Sequence, residues 1–151
     1  MAIREVRKKG DEVLYKKCKE VTKFDERLHI LLDDLYDTMK KAEGVGLASP
    51  QVGILKRAVV IEVEEGGRLE LVNPQIIETE GTQKDKEGCL SVPEEFYYVT
   101  RPYKVTVKAQ DRFGNEFIKK GEGLLARAIC HECDHLDGLL FLSKVDDFNE
   151  E

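Results

Sequence analysis

A chain of 151 residues is about the size of one ordinary domain and can bury a core without disulfide or metal staples. Its hydrophobic fraction of 41% beside a charged fraction of 36% fits a soluble globular chain, and its apolar runs are too short to cross a membrane. The net charge of −6, with basic residues scattered and not gathered into a patch, argues against a nucleic-acid binder that works by neutralising phosphates.

The start, Met1-Ala2-Ile3-Arg4-Glu5, lacks the apolar core of a secretory signal, so the expected location is cytoplasmic. Arg7-Lys8-Lys9 reads as a solvated face. In that setting Cys18, Cys89, Cys130 and Cys133 are expected as reduced thiols with packing or metal roles. No linker or repeat divides the chain, which is read as a single domain over residues 1–151.

Asp11 is placed as a helix cap before Glu12-Val13-Leu14-Tyr15-Lys16-Lys17, and Cys18 has no chemical partner near it in sequence. Leu28, Leu31, Leu32, Leu35, Met39 and Ala42 then recur at three- and four-residue steps, predicting an amphipathic helix over 25–42 with His29 off its apolar line. Residues 44–53, rich in glycine and other small side chains, are expected as a loop that lets a ligand approach closely, with Gln51 its one long polar side chain. This segment follows a helix and lacks a Gly-Lys-Ser/Thr, so it is neither a dinucleotide fingerprint nor a phosphate loop. Strands are predicted at 57–63, 68–73, 75–80, 96–100, 102–110 and 116–119, with a hairpin turn at Asp111-Arg112-Phe113-Gly114-Asn115. A final helix, entered after Gly121 and Gly123, runs to Gly138. Helix, many short strands, helix implies an α+β fold with antiparallel pairing.

That last helix carries His131-Glu132-Cys133-Asp134-His135. At about 100° per residue, two histidines four positions apart face the same way, one turn apart, as two ligands of one ion must. Glu132 follows the first of them and is placed to take a proton from metal-bound water. An open catalytic site wants a third protein ligand. Cys89, in Glu87-Gly88-Cys89-Leu90-Ser91, is the best one available. Cys130 and Cys133 form a C-x-x-C pair that can suggest zinc, but Cys133 lies about 200° around the helix from His131, which favours packing. Leu124, Arg127 and Ala128 stand seven, four and three residues before His131, nearly on its face, and can wall an apolar pocket or simply pack on a sheet. Arg127 would lend its stem while its head reaches solvent.

Three segments, in this order, resemble the motifs of the peptide deformylases: a G-x-G-x-A-A-x-Q loop, an E-G-C-L-S strand and an H-E-x-x-H helix. They stand here as Gly44-Val45-Gly46-Leu47-Ala48-Ser49-Pro50-Gln51, with Ser49 for the second alanine, as Glu87 to Ser91, and as His131 to His135. The continuation Val92-Pro93 looks like the bacterial type 1 branch.

The resemblance implies antiparallel sheets packed around a central motif-bearing helix, and removal of the formyl group from N-formylmethionyl ends of nascent polypeptides by metal-bound hydroxide. It implies Cys89, His131 and His135 as ligands of one divalent ion, typically Fe²⁺, with Zn²⁺, Ni²⁺ or Co²⁺ able to take its place. A thiolate ligand lowers the Lewis acidity of the ion relative to an all-histidine site, so its identity matters. By the same resemblance Glu132 is the general base, while the Gln51 amide and the Leu90 N–H donate to the formyl oxygen. An extended substrate would pair with Gly44, Val45 and Gly46 on one side and Gly88 on the other. The acidic end, Asp146-Asp147-Phe148-Asn149-Glu150-Glu151, lacks the longer basic helix by which some family members dock on the ribosome, so that route is not expected. Two rival readings are an H-E-x-x-H metallopeptidase and a non-catalytic binding module whose metal is closed off by a fourth ligand such as Cys130.

Overall fold

The structure, a computed structural model, describes residues 2–146. The acidic residues 147–151, on which the expectation about ribosome docking largely rests, lie outside them.

Helix α1 spans Glu26–Lys41, with the Asp25 side chain accepting from the Leu28 N–H and Lys40 and Lys41 in the last turn, where cations favour the helix dipole. Asp11 likewise caps a 3-10 turn, Glu12–Tyr15. The strands are β1 (Gly46–Ala48), β2 (Ala58–Ile61), β3 (Leu69–Glu80), β4 (Gln83–Cys89), β5 (Val92–Arg101), β6 (Lys104–Gln110) and β7 (Glu116–Glu122), and α2 spans Leu124–Leu136. Five strands form one antiparallel sheet in the order β1-β2-β3-β6-β7, and β4 pairs with β5 in a separate hairpin.

The sheet lies between the helices. Because side chains alternate along a strand, Val59 and Ile61 of β2 join Ala126 and Ile129 of α2 in one core, while Ala58 and Val60 join Leu28, Leu32 and Leu35 of α1 in another. Burial on both faces explains why β2 reads as an unbroken apolar run. A third core, with Leu14, Val92, Val99, Leu140 and Phe141, ties the β4–β5 hairpin to the chain on either side of it. The hairpin thereby brings Cys89 to α2.

Three expectations are revised by long-range pairing. Residues 44–53, read as a loop, contain β1 and a 3-10 turn at Ser49–Val52, since Gly46, Leu47 and Ala48 find partners in Ile61, Val60 and Val59. The strands expected at 68–73 and 75–80 form one, β3, across an irregular step where Asn73 takes a positive φ of 50°. Its side chain bonds the Val21 backbone N–H and carbonyl at 2.8 and 2.9 Å, which holds that step. Strand β4 is missing from the sequence reading because Lys84, Asp85 and Lys86 are exposed charged residues without apolar alternation.

Candidate metal centre and cleft

His131 and His135 meet as their spacing requires: their Nε2 atoms are 3.2 Å apart, and Cys89 Sγ lies 3.3 Å from His135 Nε2. All three donor atoms fall within 4.8 Å of one another, the one such cluster among the described residues. Cys89 closes β4, and a two-residue turn, Leu90-Ser91, returns the chain so that Cys89 pairs with Val92. The hairpin therefore fixes the sulfur's place against the helix.

The donor set fits a divalent transition ion. One thiolate and two imidazoles suit Fe²⁺, Zn²⁺, Co²⁺ or Ni²⁺. Glu87 lies 2.5 Å from His131 Nδ1, which assigns the proton to that nitrogen and leaves the Nε2 lone pair for an ion. Burial holds His135 well below the ordinary histidine range, so its ring stays neutral and able to ligate.

Glu87 is the functional residue that sequence reasoning passed over. Arg101 donates Nε to its Oε1 at 3.1 Å and Nη2 to its Oε2 at 2.6 Å, and Arg127 donates Nη1 to Oε1 at 2.8 Å. Burial pushes the Glu87 carboxyl up, but the bonds from His131 and Arg101 prevail and hold it at about 2. Arg101 also donates to Asp134 at 2.7 Å, tying the hairpin to α2 through a second carboxylate. One signal was available: Arg127 and His131 stand four residues apart on one helix face, so a single carboxylate can meet both.

The same network corrects the expectation for Arg127. Its head does not reach solvent; it is buried because Glu87 supplies the opposite charge inside, with Nη2 left without a partner among the described residues. Glu87→Gln is expected to weaken metal binding by roughly 10–100-fold in a chelator-competition titration. Unaltered affinity in that variant would show that His131 is oriented without it.

Glu132 is buried beside the cluster, with Oε1 unpartnered among the described residues. Burial raises its carboxyl to about 7. Gly46 is required here, because a Cβ at that position would overlap the Glu132 carboxylate. Gln51 is buried too: the Ala48 N–H donates to its Oε1 at 2.9 Å, which turns Nε2 toward Ser91 Oγ at 3.0 Å and Cys89 Sγ at 3.6 Å. Ser49 donates to the Ile54 carbonyl at 2.6 Å, the local backbone bond that lets a hydroxyl stand where the motif has alanine.

Cys130 and Cys133 stay out of the cluster and pack in the core between α2 and the sheet. Burial pushes the Cys130 thiol up to about 11 and raises Cys133 further, as expected of inert packing thiols. Cys18 joins the same core, also pushed up to about 11 by burial. His29 is half-buried, its Nε2 bonded to the Arg112 carbonyl at 2.8 Å.

A cleft of about 470 Å³ opens onto His131 and Glu132. It is lined by Gly44, Val45 and Gly46 from the β1 segment, and by Gly88, Cys89 and Leu90 from the end of the hairpin. Leu124, Arg127 and Ala128 line it from α2. The side chain of Leu90 lies over Gly44, where a Cβ would come within 2.8 Å of its Cδ1.

Comparison with known proteins follows the same lines. Residues 3–151 match the family model described as polypeptide deformylase. A peptide deformylase of Caldicellulosiruptor bescii is 62% identical over 151 residues, covering all of this chain and 90% of the relative. Among solved structures, a peptide deformylase from Legionella pneumophila superposes with a TM-score of 0.94 at 45% identity, covering 98% of this chain and 89% of that one. The peptide deformylase from Thermotoga maritima gives a TM-score of 0.94 at 40% identity, covering 97% of this chain and 99% of that one. Both the donor cluster and this end-to-end likeness lead to one family, and the chain belongs to the polypeptide deformylases.

Proposed function

We propose that this chain removes the formyl group from N-formylmethionyl ends of nascent polypeptides by hydrolysing the formamide bond. Cys89, His131 and His135 would hold one divalent ion, with Fe²⁺ as the physiological choice. The observation that carries the reading is the convergence of the Cys89 sulfur with both imidazoles beside a buried carboxyl at the head of an open cleft. When bound, the ion supplies Lewis acidity and a water of lowered pKa.

The chain's own residues do the rest. Glu132 accepts a proton from the attacking water and passes it to the departing amine. As charge builds on the formyl oxygen, the Leu90 N–H and the Gln51 amide donate to it, Gln51 giving up its contact with Cys89 Sγ to do so. One such donor is typically worth roughly 10²–10³ in rate. The substrate backbone pairs with the segment 44–46 and with Gly88, which leaves downstream residues loosely specified by the backbone alone. The methionine side chain rests on Leu124, the Arg127 stem and Ala128.

The proposal places the reaction in the cytoplasm, in a single catalytic domain over 1–151, without nucleic-acid or membrane contact. It is supported by the net charge of −6 and by the absence, among the described residues, of any helix long and apolar enough to cross a membrane. Formyl-Met-Ala-Ser and its unformylated counterpart separate this activity from a peptidase. Formate release with the peptide chain intact is expected from the first and no cleavage from the second; internal cleavage of either would favour the metallopeptidase reading.

A further inference from the structure

The mouth of the cleft carries three large exposed hydrophobic side chains beside the charged residues Glu43, Lys86 and Glu94. Val45, Phe96 and Leu124 are exposed by 42%, 62% and 53%, and all three border this one opening. Single exposed hydrophobic residues are ordinary, whereas several around a cleft point to something that covers them.

Phe96 is the most exposed of the three, and it is held in place. Strand β5 places it beside the step where the hairpin register shifts between Glu87 and Cys89. Its ring lies against the Gly88 backbone: a Cβ at Gly88 would fall 2.5 Å from Phe96 Cε1 and 2.6 Å from Cδ1. A glycine is needed there for the ring to lie so close. Phe96 belongs to none of the three hydrophobic cores, so the fold does not use the rest of its surface.

An extended peptide running between the segment 44–46 and Gly88 passes alongside this ring. Its side chains alternate in direction. With the methionine turned toward Leu124 and Ala128, a following side chain turns toward the mouth. We propose that Phe96 is a specificity-determining residue that selects a large apolar or aromatic side chain, over a small or charged one, within the two positions after formyl-methionine. This rests on reading the cleft as a formyl-peptide site.

The test compares kcat/KM for formyl-Met-X-Ser and formyl-Met-Ala-X with X as Phe, Ser or Asp. The readout is the Phe-to-Ser ratio within each protein, which a general loss of stability or activity does not move. In at least one series the parent is expected to favour Phe by about tenfold, falling to within about twofold in Phe96→Ala, because stacking on the ring supplies the difference. Phe96→Leu should keep the greater part of the preference, and Phe96→Lys should turn it from Phe toward Asp. A parent ratio near one in both series overturns the proposal, as does a preference that survives unchanged in Phe96→Ala. Formate release from none of the peptides would instead remove the formyl-peptide reading of the cleft, and this inference with it.

Discussion

Glu132→Ala is expected to lower formate release from formyl-Met-Ala-Ser by roughly 10²–10⁴-fold, the usual contribution of a positioned general base. The metal is expected to stay. Glu132 follows His131 on α2, so its side chain leaves the helix about 100° around from that ligand and reaches the cleft beside the donor cluster without joining it. Its Oε1 is buried and has no partner among the described residues, an arrangement that costs stability and is characteristic of groups held ready for chemistry. Truncation removes that unsatisfied group, so the variant should remain folded, with circular dichroism and metal content checked alongside the kinetics. Loss of the metal would make Glu132 a ligand. Unimpaired turnover would take it out of the mechanism.

Cys89→Ala is expected to abolish formate release by a different route, through loss of the ion. With the sulfur gone, two imidazoles on one helix turn remain, and the site falls short of the three protein ligands usual for a catalytic metal. The effect should also appear in stability. An ion that binds only the folded chain adds about 2.7 kcal/mol at a hundredfold excess over its Kd. For a chain of this size that difference corresponds to roughly 5–10 °C in Tm. A chelator should therefore lower the Tm of the parent by about that amount and leave Cys89→Ala unmoved. A Cys89→Ala protein that keeps its metal and its chelator-sensitive Tm would displace the sulfur from the ligand set.

The parts of the fold visible in the sequence are those whose signal is local. Helices α1 and α2 show a 3.6-residue period, and β2 shows an apolar run, because each buries its own stripe or both its faces. Strand β1 is short and its pairing is dictated by β2, eleven residues away at Ala48 and Val59, and no local pattern announces it. Strand β4 is polar on its exposed stretch and becomes a strand only by pairing with β5.

The site divides in the same way. His131, Glu132 and His135 are legible as helix spacing, and Cys89 as the remaining thiol in a glycine-flanked segment. The carboxylate that orients His131 is 44 residues away, and its role is set by a hairpin bringing it under the helix. A separation of 40 residues likewise hid the pairing of Arg127 with Glu87, and left solvent as the expected place for the Arg127 head. Leu90 and Gln51 owe their expected roles to family resemblance, since only the folded hairpin places them around Cys89.

The most direct test of the account is formate release from formyl-Met-Ala-Ser by protein purified anaerobically and loaded with Fe²⁺, beside the same protein treated with a chelator. The predicted result is formate release with the peptide chain intact, lost on chelation and restored when Fe²⁺ is returned. Release that persists unchanged in the thoroughly chelated protein, or cleavage of an internal peptide bond in place of the formamide, would contradict it.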